Sequence, residues 1–237
     1  TQTALDASAG FDTVSATGYA FLVRTVEGGV FAWGRSSMGG EIPAAMQAAR
    51  TTLLALGAVD ESGAVTARGQ QMVRVPADPR LARALLDGAE QVGSRRSAEI
   101  VALLADEVRA PGGDLVAALR RATSSPTADR LERLVAASPR TALTDDLAVG
   151  LVVALAHPER VARRRRSGGP YLMVSGTGAA FVRGESPLAG LEWIVVADAE
   201  RRPGASDATI RAAAPLDEDL ALEAAAGVWC EDDEGTW

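Results

Sequence analysis

Nine side chains carry most of the chemistry this sequence offers. Arg160, Arg163, Arg164, Arg165 and Arg166 crowd guanidinium groups into one short stretch. At the end of a helix such a cluster could neutralise several phosphates of a nucleic-acid backbone, each contact steepening the salt dependence of binding. It could equally be a solvated group that complements the negative C-terminal end of that helix. Ser175-Gly-Thr-Gly178 has the small residues of a phosphate-cradling loop, but no Lys-Ser/Thr follows and strand-like sequence lies on both sides. A hairpin turn is the simpler reading, with Ser175 and Thr177 still placed to touch a strand of nucleic acid. Arg80 and Arg83 flank an apolar helical stripe, either as contacts or as exposed helix residues.

Other polar residues point to structure rather than catalysis. His157 is the single histidine and has no nucleophile or second ligand near it in sequence, so a hydrogen-bonded structural role is expected. Asp145-Asp146 fits an acid pair at a helix N-terminus better than a catalytic dyad. Trp193, in a period-two strand, fits a core position better than a base-stacking platform. One histidine and one cysteine, Cys230, leave no usual zinc site and no internal disulfide.

The 237 residues carry a net charge of -7, which argues against indiscriminate nucleic-acid binding by the whole surface. All 24 basic residues are arginine, as a GC-rich genome or selection for planar phosphate contacts would produce. The distribution is uneven. Residues 158–170 hold five Arg and one Glu, a local +4, whereas residues 185–237 hold three Arg against thirteen acids, a local -10. A basic strip beside an acidic tail suggests one oriented binding face. No apolar run approaches the ~18 residues of a membrane span, and no basic region with an apolar core opens the chain. A cytoplasmic protein with no membrane partner is expected.

The elements that must position these residues follow from periodicity. Tyr19–Val26 and Val30–Trp33 suggest paired strands around a Glu27-Gly-Gly turn, with a loop at Ser36–Gly40. From Ile42 the pattern is helical, with Pro43 at a first-turn position and a stripe running to Gly57. Asp60–Gly63 makes a tight turn, and Thr66 caps a short helix over 67–73. A helix from Asp78-Pro79 and segments near 95–108, 113–122, 127–137 and 144–156 form a bundle, with Asp114, Thr127 and Thr144 as caps. After the arginines the period becomes two, with strands starting at Tyr171, Ala179, Glu192 and Ala208. A helix over 217–226 and a strand opening at Gly227 follow. Short strands with one helix suggest a Greek-key barrel of the oligonucleotide-binding kind. It looks incomplete, because Trp237 comes just as a strand begins.

The fold class expected is therefore α+β: a winged-helix-like segment and a helical bundle followed by a small, incomplete OB-like β-barrel. The divisions are 1–41, unassigned or a motor remnant or linker; 42–77, winged-helix-like; 78–157, bundle; and 158–237, barrel.

These residues carry a family resemblance. Leu56–Gly69 and Pro76–Leu86 resemble the helicase-associated region of DEAH-type ATP-dependent helicases. Ala156–Arg165, Tyr171–Ala179, Glu192–Asp198 and Ile210–Asp217, in that order, resemble the bacterial HrpB branch of that family. The resemblance implies a winged helix, a "ratchet" bundle and an OB-fold barrel that line a channel for single-stranded RNA or DNA. It also implies RecA-like motor domains, in cis or in trans, that use ATP and Mg. The sequence contains no Gly-x-x-x-x-Gly-Lys-[Ser/Thr] loop and no Asp-Glu-x-His box. No cofactor and no catalytic residue are therefore expected in this chain itself. A nucleic-acid-binding accessory module of a helicase is the first reading. A stand-alone protein-interaction module, docking on a helicase or ribosomal partner through an acidic barrel face, is the alternative.

Overall fold

A computed structural model describes residues 11–16, 20–25, 30–34, 44–106, 110–122, 125–165, 169–182 and 186–226, with side chains from residue 49 onward. Arg166, Cys230, the expected loops at Glu27–Gly29, Ser36–Gly40 and Ser124, the strand opening at Gly227 and the acidic run Glu231–Glu234 lie outside the described residues. The chain divides into two compact units, Thr1–Arg74 and Val75–Trp237.

In the first unit, strands β1 (Phe11–Ala16), β2 (Ala20–Thr25) and β3 (Val30–Gly34) form an antiparallel sheet in the order β1-β2-β3. The β2–β3 hairpin matches the expected pairing and sets Phe21 opposite Trp33 and Val23 opposite Phe31. β1 was not expected, since Phe11–Ala16 lacks a clear alternation of apolar and polar residues. Helix α1 (Ala44–Ala55) leads to a turn in which Asp60 accepts hydrogen bonds from Ser62 and the Ala64 amide. Those bonds, the Ser62 hydroxyl first, hold the Asp60 carboxyl below its ordinary pKa. Val59 and Val65 pair as a bridge across the turn. Thr66 then caps α2 (Ala67–Met72) by accepting the Gly69 N–H at 3.0 Å. Gly69 lies against the Ala58 carbonyl, where a Cβ would not fit.

The second unit is built around one helix. α7 (Asp145–Ala156) is apolar on all sides after its first turn and is buried from Ala148 to Val153, as a helix without a polar face must be. It packs on α3 (Pro79–Val92) and α4 (Ser94–Ala105) on one side and on barrel strands on the other. Two glycines allow this. At Gly88 a Cβ would meet Ser97 Oγ at 2.7 Å and Val152 at 3.0 Å, and at Gly150 it would clash with the Pro215 carbonyl. α5 (Leu115–Arg121) and α6 (Pro126–Glu132) complete the bundle. Asp114 and Thr144 cap as expected, but Thr127 does not. Pro126 occupies the first turn of α6, so the cap falls to Ser125, whose hydroxyl accepts the Ala128 N–H at 3.3 Å.

β4 (Val161–Arg164), β5 (Tyr171–Met173), β6 (Gly178–Ala180), β7 (Trp193–Glu200) and β8 (Ala208–Leu216) close into a barrel in the order β4-β5-β6-β8-β7. The barrel is therefore complete with five strands, and the expected incompleteness is corrected. The first strand was hidden because its sequence, Val-Ala-Arg-Arg, reads as the tail of a charged helix. Ala162, Tyr171, Met173, Ile194, Val196 and Ile210 fill the interior. The Tyr171 hydroxyl donates to the Leu191 carbonyl at 2.8 Å, and its ring meets Phe181 edge-on at 6.1 Å. α8 (Glu218–Ala225), capped by Asp217, packs on β4 and β7. Among the described residues no helix is long and apolar enough to cross a membrane.

Candidate nucleic-acid interface

Helix α7 ends at Ala156, with His157 as its C-terminal residue, and Pro158–Arg160 form one 3-10 turn before β4 begins at Val161. The arginines are thus not on a helix end. They lie along a turn and a strand, where successive side chains point to opposite faces. That alternation splits the cluster into groups with different surroundings.

Arg160 turns back onto the barrel and donates to the Ala197 carbonyl at 2.6 Å. The β7–β8 register shifts between Val196 and Asp198, so this carbonyl sits at a bulge in the ladder. Arg163 donates to Glu192 Oε1 at 2.7 Å, and its guanidinium carbon lies 5.0 Å from the centre of the Trp193 ring. Trp193 is 5% exposed and is a core residue under Arg163, not a free stacking surface. Arg164 and Arg165 are exposed and their side chains make no hydrogen bond or ion pair among the described residues. Arg164 pairs in register with Tyr171, and its charge partly offsets the rise that burial imposes on the Tyr171 phenol.

Ser175 and Thr177 occupy a hairpin turn between β5 and β6. The Gly176 N–H donates to the Met173 carbonyl at 2.8 Å, and Gly176 takes the left-handed φ of +77° that favours glycine. The Ser175 N–H donates to the Glu159 carbonyl at 3.0 Å, which ties this turn to the segment entering β4. At the start of β6 the absent side chain of Gly178 leaves room for Asp207, with Arg165 Nη2 3.5 Å from where a Cβ would stand. Arg165 and the hairpin are therefore neighbours.

Arg80 and Arg83 are engaged within the bundle. Arg80 Nη1 lies 2.9 Å from both Glu159 oxygens and 3.4 Å from the Ala156 carbonyl, so it bridges α3 to the turn before β4. Arg83 pairs with Asp87 one helical turn on, at 3.2 Å. His157 is half-buried, and its buried Nδ1 has no hydrogen-bond partner, lying 4.0 Å from Glu159 Oε1. Among the described residues, the hydrogen bond expected of a structural histidine is not made at this nitrogen. Burial, then the charge of Arg160, pushes the His157 pKa down to about 4, so the ring is neutral near pH 7.

Sequence reasoning missed the partners. Glu159 and Glu192 take up three of the arginines, yet Glu192 lies far from Arg163 in sequence and only barrel closure brings it there. Asp145-Asp146 is a first-turn acid pair, behind the Thr144 cap, and it also holds arginines. Arg96, 5% exposed, donates to Asp145 and to the Leu143 carbonyl at 2.7 Å, while Arg120 reaches Asp146 at 2.7 Å. The Arg96 bond is the main reason that the Asp145 carboxyl is held below its ordinary pKa.

No protein-family model matches the chain. In sequence it is similar to the ATP-dependent RNA helicase HrpB of Escherichia coli K12, with 31% identity over 151 residues. That match takes in 62% of this chain but 18% of the helicase, so the chain spans about a fifth of the length of this relative. In fold it is similar to the E. coli DExH-box NTPase HrpB, with a TM-score of 0.64 and 25% identity over 80% of this chain and 24% of that one. A second structure, of the E. coli DEAH/RHA helicase HrpB, gives a TM-score of 0.60 over 76% of this chain and 22% of its own.

Proposed function

Taking its likeness to the C-terminal region of an HrpB-like DEAH helicase as the premise, we propose that this chain is a helicase-associated, nucleic-acid-binding module that guides a single strand past RecA-like motor domains. The motor domains would act in cis or in trans. ATP and magnesium belong, in this reading, to those domains, and no residue of this chain is assigned to them. Single-stranded RNA is favoured over DNA because the relative is named an RNA helicase.

One observation carries the assignment to this surface. Arg164 and Arg165 are exposed cations whose side chains make no hydrogen bond or ion pair among the described residues, at the end of a barrel strand and beside the Ser175–Thr177 turn. A phosphate backbone would supply the missing anion, and the turn's amides and hydroxyls would supply neutral contacts. Arg166, next in the chain, is proposed as a further phosphate contact from its sequence position alone. Arg160, Arg163, Arg80 and Arg83 already have acceptors within the protein, and their role is to hold that surface in place.

The test is fluorescence anisotropy of the intact chain with labelled oligouridine at low salt. Arg164→Ala with Arg165→Ala should weaken binding roughly tenfold and reduce the salt slope by about 0.7 for each phosphate that is no longer neutralised. Binding that is absent, or that keeps its affinity and slope in the double variant, would overturn the proposal.

A further inference from the structure

The bundle and the barrel do not close on each other everywhere. Between the start of α3, the end of α4 and the loop into α5 on one side, and β6 to β8 on the other, lies a cleft of about 1190 Å³. That is larger than the ~300–1,000 Å³ of most small-ligand pockets. Its floor and walls include Leu81, Leu104, Leu115, Phe181, Val182 and Ile210. Val182 is 45% exposed there although it is a large aliphatic residue. Gly113, with a left-handed φ of +75°, brings the bundle loop against Phe181, where a Cβ would stand 3.2 Å from the ring. The wall is shaped at that point by a glycine that no other residue replaces without strain.

The charges of this cleft have the opposite sign to those of the arginine strand. Asp78, Asp198, Glu200 and Arg211 line it. Arg211 is taken by Glu200 at 2.5 Å, and no basic side chain pairs with Asp78 or Asp198 among the described residues. His157 also lines the cleft and, neutral near pH 7, adds no positive charge. Among the described residues, a phosphate chain entering here would meet two carboxylates that no cation pairs with, Asp198 exposed and Asp78 capping α3. The β7–β8 register is irregular on both sides of Asp198.

We propose that this cleft binds a segment of a partner protein in which aliphatic side chains flank an arginine or lysine, and that it is separate from the phosphate-facing arginines. The aliphatic groups cover Val182, Phe181 and Leu104, and the cation pairs with Asp198. The site gives the module a protein-facing side and a nucleic-acid-facing side that can be occupied together.

The experiment uses the intact chain and three labelled peptides of equal length: alternating Leu and Arg, alternating Leu and Glu, and alternating Gly and Arg. The Leu/Arg peptide should bind, the Gly/Arg peptide roughly tenfold more weakly, and the Leu/Glu peptide not at all at up to roughly 100 µM. Asp198→Arg and Val182→Arg, both at exposed positions, should each weaken the Leu/Arg peptide by about tenfold. Arg164→Ala with Arg165→Ala should leave it unchanged. Peptide binding indifferent to Asp198→Arg and Val182→Arg would place it on the general acidic surface and overturn the proposal. So would absence of binding, preference for the Leu/Glu peptide, or displacement of the peptide by oligouridine. A chain that binds the Leu/Arg peptide as described but not oligouridine would refute only the nucleic-acid reading.

Discussion

The arginines of the bundle and those at the end of β4 share one side chain and differ in what surrounds it. Arg96 is buried and donates to Asp145 and the Leu143 carbonyl, with its Nε left without a partner, and Arg80 is held by both oxygens of Glu159. Arg164 and Arg165 stand in solvent with no acceptor among the described residues. The first kind is a cross-link between elements of the fold, and only the second kind is available to a ligand. Density of charge in the sequence does not separate the two. Commitment to an internal acceptor does.

The sharpest way to break this comparison is to remove a committed arginine. Arg96→Met keeps the volume but leaves the Leu143 carbonyl without its donor and Asp145 with Arg140 alone, and should cost about 2–3 kcal/mol of stability, or roughly 4–10 °C in melting temperature. Because Asp145 has a lowered pKa, its contribution is present above the ordinary carboxylate range and fades as pH falls through the folded value. Acid titration of stability should therefore be flatter in the Arg96→Met variant. If the variant melts like the parent, Arg96 is not the cross-link described.

Removing uncommitted arginines should do the reverse. Arg164→Ala with Arg165→Ala should shift stability by less than about 0.5 kcal/mol in urea unfolding, even as oligouridine binding falls. A large loss of stability would place these side chains in the first class.

The junction between the two groups can be probed by pH. His157 has a folded pKa of about 4 against an ordinary 6.5, so the unfolded chain takes up its proton first as pH falls. Stability should be complete above about pH 6.5 and decline toward pH 4, by about 1 kcal/mol at the first unit below 6.5. In His157→Asn that part of the decline should vanish, as followed by thermal melts across the range.

A modest effect is expected at Glu159, which is half-buried. Glu159→Gln removes the charge that holds Arg80 and should cost about 1 kcal/mol or less. The exchange Arg80→Glu with Glu159→Arg should restore most of it, which a double-mutant cycle would measure. A cycle that shows no coupling would remove Arg80 from the brace.

Much of the fold was legible before the structure. The 144–156 segment was legible as a helix, though its burial on every side was not, and Asp78-Pro79, Asp114 and Thr144 marked helix starts through a mechanism that acts within three residues. The β5–β6 turn was legible for the same reason, since Gly176 needs the left-handed conformation. The candidate site was legible only as a set of residue types. β4 was missed because Val161–Arg164 is too short and too basic to show an alternation, and its strand identity comes from pairing with β5 and β7. The cleft left no local trace at all, because its walls come from segments separated by most of the second unit.

Composition, caps and periodicity by themselves determined the order of most elements and the concentration of cations after α7, since each depends on residues close together in the chain. Tertiary structure alone decided which cations are spent on internal carboxylates, that five strands close the barrel, and that an acidic cleft stands apart from the free arginines. The physical reason is range. Backbone hydrogen bonding and helix capping are settled among neighbours, whereas the pairing of charges and the burial of apolar walls depend on distances that exist only after the bundle and barrel have packed.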